Sequence, residues 1–327
     1  MAADVRTAAE SERAPIRLPA PDRAVPSGEP VVEEREFSFN GFRYRCRTVR
    51  QGRPQTEPVL ILGGSSQDRY SWLRYEKRLA PLGSMITVDL PGYGDADFLP
   101  AKYGIDFLAA GVRHLLTELA IPRVNLVAVC YGGAIGLRFV QHYPELVERL
   151  ALVGMTPRIP DDYTAAMERW AAMIESGGQT AVIARELTDR FMSPPGWAPV
   201  RRHAAVARLV YQQIAGQDAE QLRKSAEHNT RLMRHEWYRP EPLPVLPGLV
   251  VTGEYDTLCT PVMGRQVAGL LASACFTTIT ESDHLAPVER PDDLADLLAR
   301  FCTGQSIEGL PYTNPVEHFG THCQAQY

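Results

Sequence analysis

Apolar positions along the chain gather into short runs, separated by longer stretches in which they recur at helical spacing. From Glu36 onward, Phe37, Phe39, Phe42, Tyr44 and Cys46 alternate with polar residues on either side of Asn40-Gly41, the pattern of a β-hairpin. Apolar, β-branched runs of buried-strand type follow at 58–62, 85–89, 124–129, 150–154, 248–253 and 276–279. Helical patterns lie between most of them, as at 134–140, and a further one covers 292–301. Strands alternating with helices predict an α/β chain with a mostly parallel, doubly covered sheet. One interval breaks the rhythm. Between residues 157 and 244 no strand is legible, only amphipathic segments at 165–176, 179–191, 199–215 and 219–235. A helical insertion between successive strands predicts a lid over the strand ends, where such sheets bind ligands. Residues 35–156 and 245–302 then form the core. Residues 1–34 are expected to be a disordered leader, and 303–327 a tail without periodicity.

Composition narrows the function classes. The 327 residues are 45% hydrophobic and 22% charged, ordinary values for a globular protein with a substantial core. A formal charge of -5 with no basic stripe argues against a nucleic-acid partner. No apolar run reaches the length of a bilayer-spanning helix, and residues 1–34 lack the apolar stretch of a secretory signal. The six cysteines at 46, 130, 259, 275, 302 and 323 are scattered without CxxC pairs, which predicts reduced thiols and a cytoplasmic location.

The candidate chemistry centres on Cys130. Ala128-Val129-Cys130-Tyr131-Gly132 reads small-x-nucleophile-x-Gly, placed where a strand turns sharply into a helix. Such a turn presents its central side chain at the top of the sheet, and small residues two before and two after it relieve backbone crowding. An inert buried thiol is the competing reading. A reactive thiol needs a base, and the base an orienting acid. Thr252-Gly253-Glu254-Tyr255-Asp256 and Glu281-Ser282-Asp283-His284 leave successive strands and supply both. Glu254 rivals Asp256 as the acid, and motif position favours Asp256.

With these motifs the chain resembles the α/β-hydrolase superfamily, lid-bearing type, over roughly residues 36 to 302. The order nucleophile, acid, histidine maps to Cys130, Asp256 and His284. Asp256 lies in G-x-x-D-x-x-x-x-P, His284 in D-H-x-x-x-x-E-x-P, and Asp89-Leu90-Pro91-Gly92-Tyr93-Gly94 also matches. Four positions depart from the usual pattern, one being Ala96, where a serine is common. Cysteine replaces serine at 130, Asp283 stands where glycine commonly precedes the histidine, and Gly63 stands where the family often carries histidine. The resemblance implies an α/β-hydrolase fold and an oxyanion hole made by the backbone N–H groups of Tyr131 and Ser65, with Gly64 beside the substrate. A local likeness to polyhydroxyalkanoate synthases, through C-x-G-G and G-E-Y-D, lacks those enzymes' large extra domain.

A thiolate forms near neutral pH more readily than an alkoxide. Its attack on an acyl thioester gives an acyl-cysteine that is itself a thioester, so the acyl group stays activated for transfer. The expectation is therefore an acyltransferase or thioesterase whose acyl donor is bound to CoA or to an acyl-carrier protein. The alternatives are a carboxylester or lactone hydrolase with a thiol nucleophile, and a non-covalent binding or lyase-like protein on the same fold. Trp170, Met173, Met192, Trp197, Tyr211, Met233 and Trp237 either line an apolar acyl pocket or form the lid's own core. His318, His322 and Cys323 have metal-like spacing in a loose tail, where the plain reading is preferred. Neither Gly63-Gly64 nor Gly92-x-Gly94 has phosphate-cradling spacing. No metal or organic cofactor is expected, and Cys259 is read as packing.

Overall fold

Asn40 and Gly41, both at positive φ, fold β1 (Val31–Phe39) back on β2 (Phe42–Arg50) as an antiparallel hairpin. The computed structural model describes residues 28–177, 180–239, 243 and 245–320. The hairpin thus begins inside the stretch expected to be a leader, while residues 1–27 lie outside the described residues. Its first half is exposed and held by charge. Glu33, Glu34 and Glu36 on β1 pair with Arg50, Arg47 and Arg45 on β2, so no apolar alternation announces the strand.

Six strands run parallel in the order β4 (Met85–Asp89), β3 (Val59–Leu62), β5 (Val124–Val129), β6 (Val147–Val153), β7 (Gly248–Gly253) and β8 (Ala274–Ile279). β2 adds antiparallel to β4. At the other edge β9 (Glu317–Phe319), within the segment read as a tail without periodicity, adds antiparallel to β8. Three mixed residues are too few to show a period. The last seven residues lie outside the described residues.

Strand side chains alternate between two cores, as period 2 requires. On β5, Val124, Leu126 and Ala128 join one cluster, while Val127 and Val129 join the other. The first cluster is covered by α2 (Ile105–Glu118), α3 (Tyr131–His142) and α8 (Pro261–Ala268). The second is covered by α1 (Leu73–Leu79) and α10 (Pro291–Cys302), with the short α9 (Ala286–Glu289) just before α10. Because β3 pairs with both β4 and β5, the chain reverses direction across the sheet at that point. The crevice beyond the C-terminal ends of β3 and β5 is the expected ligand site of such a sheet.

Between β6 and β7 the described residues hold four helices and no strand: α4 (Asp161–Glu175), α5 (Thr180–Phe191), α6 (His203–Ala215) and α7 (Ala219–Arg234). Two small apolar clusters knit them together. α7, opened by a capping box of Asp218 and Gln221, is fixed to the core by buried cations. Lys224 Nζ donates to the carbonyls of Gly94 and Ala96, at 2.9 and 2.7 Å. Arg231, fully buried, donates to the carbonyls of Tyr103, Leu99 and Pro100 and to Tyr131 Oη.

Candidate active site

β5 delivers its last residue straight into α3, leaving Cys130 at φ 50°, ψ -115°, outside the regions comfortable for a side-chain-bearing residue. Two backbone hydrogen bonds hold this turn, Cys130 N–H to Val153 O at 2.9 Å and Gly133 N–H to Cys130 O at 2.8 Å. The close approach demands small neighbours. A Cβ on Gly132 would lie 2.7 Å from Gly63 O, and one on Gly136 would lie 2.6 Å from Ala128 Cβ. Cys130 itself is half-buried and faces a pocket.

Asp256 follows β7 and His284 follows β8. Asp256 Oδ1 accepts the N–H groups of Leu258 and Cys259, at 2.9 and 2.7 Å. Its Oδ2 lies 2.9 Å from His284 Nδ1, with both residues buried. Glu254, the rival acid, instead accepts Glu281 N–H at 3.0 Å. The His284 ring rests against Phe191, 5.8 Å between centroids, and a Cβ on Gly154 would come within 3.3 Å of its Cε1. Burial works to lower the pKa of His284. The adjacent Asp256 carboxylate overrides it, helped by a hydrogen bond with Cys130, and lifts the ring well above its ordinary value. Cys130 and His284 line the same pocket.

Tyr131 and Ser65 line the pocket together with Cys130, and the backbone N–H of neither has a hydrogen-bond partner among the described residues. Tyr131 opens α3, whose N-terminus favours negative charge. The Gly64 amide is not available, since it donates to Gln67 Oε1 at 2.7 Å. Gln67, which sequence reasoning passed over, braces the loop beside Gly63. Asp283 also gains a role. Its carboxylate accepts the backbone N–H of His284 at 2.6 Å and that of Ser193 in the insertion, so the residue in the usual glycine position ties the two together.

The pocket, about 1190 Å³ counted out to open solvent, is walled mainly by apolar side chains from the core and the insertion. Ile159, Tyr163, Phe191, Val210, Ile214 and Leu232 supply much of that wall, and Trp237 and Gly64 also line it. The other aromatic and methionine candidates do not. Trp170 and Met192 are buried inside the insertion, where Trp170 Nε1 donates to Glu186 at 2.7 Å. Tyr211 packs in the same helical core under Arg185. Trp197 is 61% exposed, its ring against Tyr255. Met173 and Met233 pack with the α4 cluster. Helical spacing marks such residues as facing inward; it does not say whether a cavity or a neighbouring helix lies there.

Cys259, expected as packing, lines the pocket and stands beside the acid–histidine pair. Its Sγ and donor atoms of Asp256 and His284 lie within 4.8 Å of one another. These three could approach a cation, but burial pushes the Cys259 thiol up to about 12, and Asp256 Oδ2 is already bridged to His284. His318 hydrogen-bonds Glu308 at 2.8 Å and Cys275 at 3.5 Å; His322 and Cys323 lie outside the described residues.

Over residues 59–297 the sequence matches the model of the alpha/beta hydrolase family. An uncharacterized protein of Mycobacterium tuberculosis is 32% identical over 116 residues, 36% of this chain and 33% of that protein. A soluble epoxide hydrolase of Corynebacterium sp. is 28% identical over 126 residues, 38% of this chain and 43% of that protein. The chain spans about a third of the length of the first curated relatives it matches. The structure of an enol-lactonase from Burkholderia xenovorans superimposes with a TM-score of 0.71 at 22% identity, covering 82% of this chain and 100% of that one, a likeness of fold.

Proposed function

The chain belongs to the alpha/beta hydrolase family, and on that footing we propose that it moves acyl groups through a thioester formed on Cys130. The observation that carries this reading is the meeting, in one apolar pocket, of a thiol on a strained turn, an imidazole held by a carboxylate at 2.9 Å, and two unpartnered amides. In the reading, His284 takes the Cys130 proton and the sulfur attacks the substrate carbonyl. The N–H groups of Tyr131 and Ser65 stabilise the oxygen that becomes charged. The departing thiolate or alkoxide takes the proton back from His284, leaving acyl-Cys130. His284 next deprotonates water, an alcohol or an amine. That acceptor takes the acyl group, and Cys130 recovers its proton. Asp256 holds the ring tautomer and its charge throughout.

The lining favours a neutral, mainly apolar acyl group, since neither arginine nor lysine lines the pocket among the described residues. The phosphates of a CoA donor would stay outside, as would a carrier protein reaching in through its neutral arm. A plain ester or lactone hydrolase with water as acceptor is the second reading, supported by family membership. Incubation with the octanoyl thioester of N-acetylcysteamine, followed by intact mass measurement, should add one octanoyl group to the protein and none to Cys130→Ala. A panel of thioesters and p-nitrophenyl esters that yields neither adduct nor turnover would sink the proposal. Cys130→Ser separates the two readings, since retained ester hydrolysis with lost transfer to an alcohol marks a transferase.

A further inference from the structure

The two residues assigned to the oxyanion hole in the proposed function, Tyr131 and Ser65, are both touched by one side chain that comes from the insertion. His228, on α7, is buried and does not line the pocket. Its ring lies parallel to that of Tyr131, 4.4 Å between centroids at 11°, and 4.5 Å from that of Tyr93. Its Nδ1 lies 3.2 Å from the carbonyl oxygen of Ser65 and 3.1 Å from Ser65 Oγ. A carbonyl only accepts, so we assign the ring proton to Nδ1, from which it donates to Ser65 O. Nε2 is buried beside the Gly92 backbone and makes no hydrogen bond of good geometry among the described residues. Burial first, then the Arg231 charge, lowers the ring to about 3, so it stays neutral and is no rival to His284 as base.

The consequence for the Ser65 loop is geometric. The peptide before Ser65 is fixed by Gln67 N–H donating to Gly64 O at 3.1 Å. The peptide after it is fixed by His228, and the next carbonyl, Ser66 O, accepts Gln213 Nε2 from α6 at 3.1 Å. Ser65 is therefore held on both sides, and its N–H can keep one direction. Gly63 offers no side chain for that work.

We propose that His228 is a positioning residue for the oxyanion hole, clamping Ser65 by its Nδ1–H and Tyr131 by its ring, so that docking of the helical insertion completes the site. This inference rests on acyl chemistry at Cys130. Alkylation of a thiol needs no oxyanion hole, whereas acyl transfer does, and that difference provides the test.

His228→Phe keeps the stacking surface and removes the donor; His228→Asn keeps a donor near the Nδ1 position and loses the ring. With the octanoyl thioester, His228→Phe should lower kcat about 10- to 100-fold with little change in KM, somewhat less than deletion of one oxyanion donor. Its rate of Cys130 alkylation by iodoacetamide should stay within about twofold of wild type, the scatter expected away from the altered step. His228→Asn should recover much of the lost kcat, and His228→Leu, which also lacks the donor, takes the place of the phenylalanine variant if that one does not fold. Wild-type kcat in His228→Phe, or equal losses of kcat and alkylation in both variants, would overturn the clamp. If the wild-type protein forms no acyl-Cys130 at all, the reading of the whole site falls, and the clamp with it.

Discussion

At the scale of single residues the site turns on charge held at His284. Burial disfavours a charged ring, and the Asp256 carboxylate at 2.9 Å more than offsets that cost, so the folded-state pKa stands above the ordinary value. A raised folded-state pKa contributes stability in full below the unfolded value of about 6.5, and that contribution is lost as pH rises through the folded value. Asp256→Asn removes the carboxylate and leaves the desolvation. It should therefore cost more stability at about pH 6 than at an alkaline pH above the folded-state value, because only at the lower pH does wild type hold the extra proton. Urea unfolding at both values measures this, and equal losses would show that Asp256 does not charge the ring. Turnover should fall about 10³- to 10⁴-fold, as expected when the ring loses its orienting acid. Asp256 and His284 were legible because each follows a buried strand in a recognisable ordered motif. Asp283 and Gln67 were not, since their partners, Ser193 and a backbone amide, are set by three-dimensional packing.

At the scale of elements, the β5–α3 junction explains why so much could be read from five residues. A strand that turns directly into a helix brings its backbone against the neighbouring β3, and only Gly at 132 fits there. Gly132→Ala would push a Cβ against the carbonyls of Leu62 and Gly63. Neither backbone can yield without moving the Ser65 loop, so the expected loss is about 1–3 kcal/mol, as for other overpacked sites. Because the strain falls on the turn, Cys130 alkylation should slow as well. Unchanged alkylation kinetics together with an unchanged denaturation midpoint would mean that the turn relaxes freely. The insertion was legible as helices but not as pocket wall. Segments expected at 165–176, 179–191, 199–215 and 219–235 became α4 to α7 with ends shifted by a few residues. Trp170, Met192 and Tyr211 nevertheless face neighbouring helices, because the packing angle between helices is not written in the period of either one. The first half of β1 and all of β9 escaped notice for the opposite reason: edge segments with charged or mixed faces carry no apolar signal.

At the scale of the molecule, the attachment of α7 decides how far the insertion can move. Lys224, His228 and Arg231 follow at four and three residues, so all three point from one helix face toward the 90–103 segment and the Ser65 loop. Long buried cations ending on carbonyls make a demanding joint. The guanidinium of Arg231 loses hydration, and the Leu99, Pro100 and Tyr103 carbonyls depend on it in return. Arg231→Met would leave those acceptors buried and unpaired, at about 1–3 kcal/mol each, partly offset by the charge no longer buried. The net loss should appear first as local opening. Limited proteolysis should cut between residues 216 and 240 in Arg231→Met under conditions where wild type resists, while the sheet remains folded by circular dichroism. Arg234→Met, at an exposed position of the same helix, should behave as wild type. Were both variants to resist protease equally, the cations would be incidental and the insertion would be held by its apolar contacts. If the joint does open, acyl transfer should fall with it while Cys130 stays open to alkylation, since the thiol stands on the sheet and the clamp on Ser65 stands on α7.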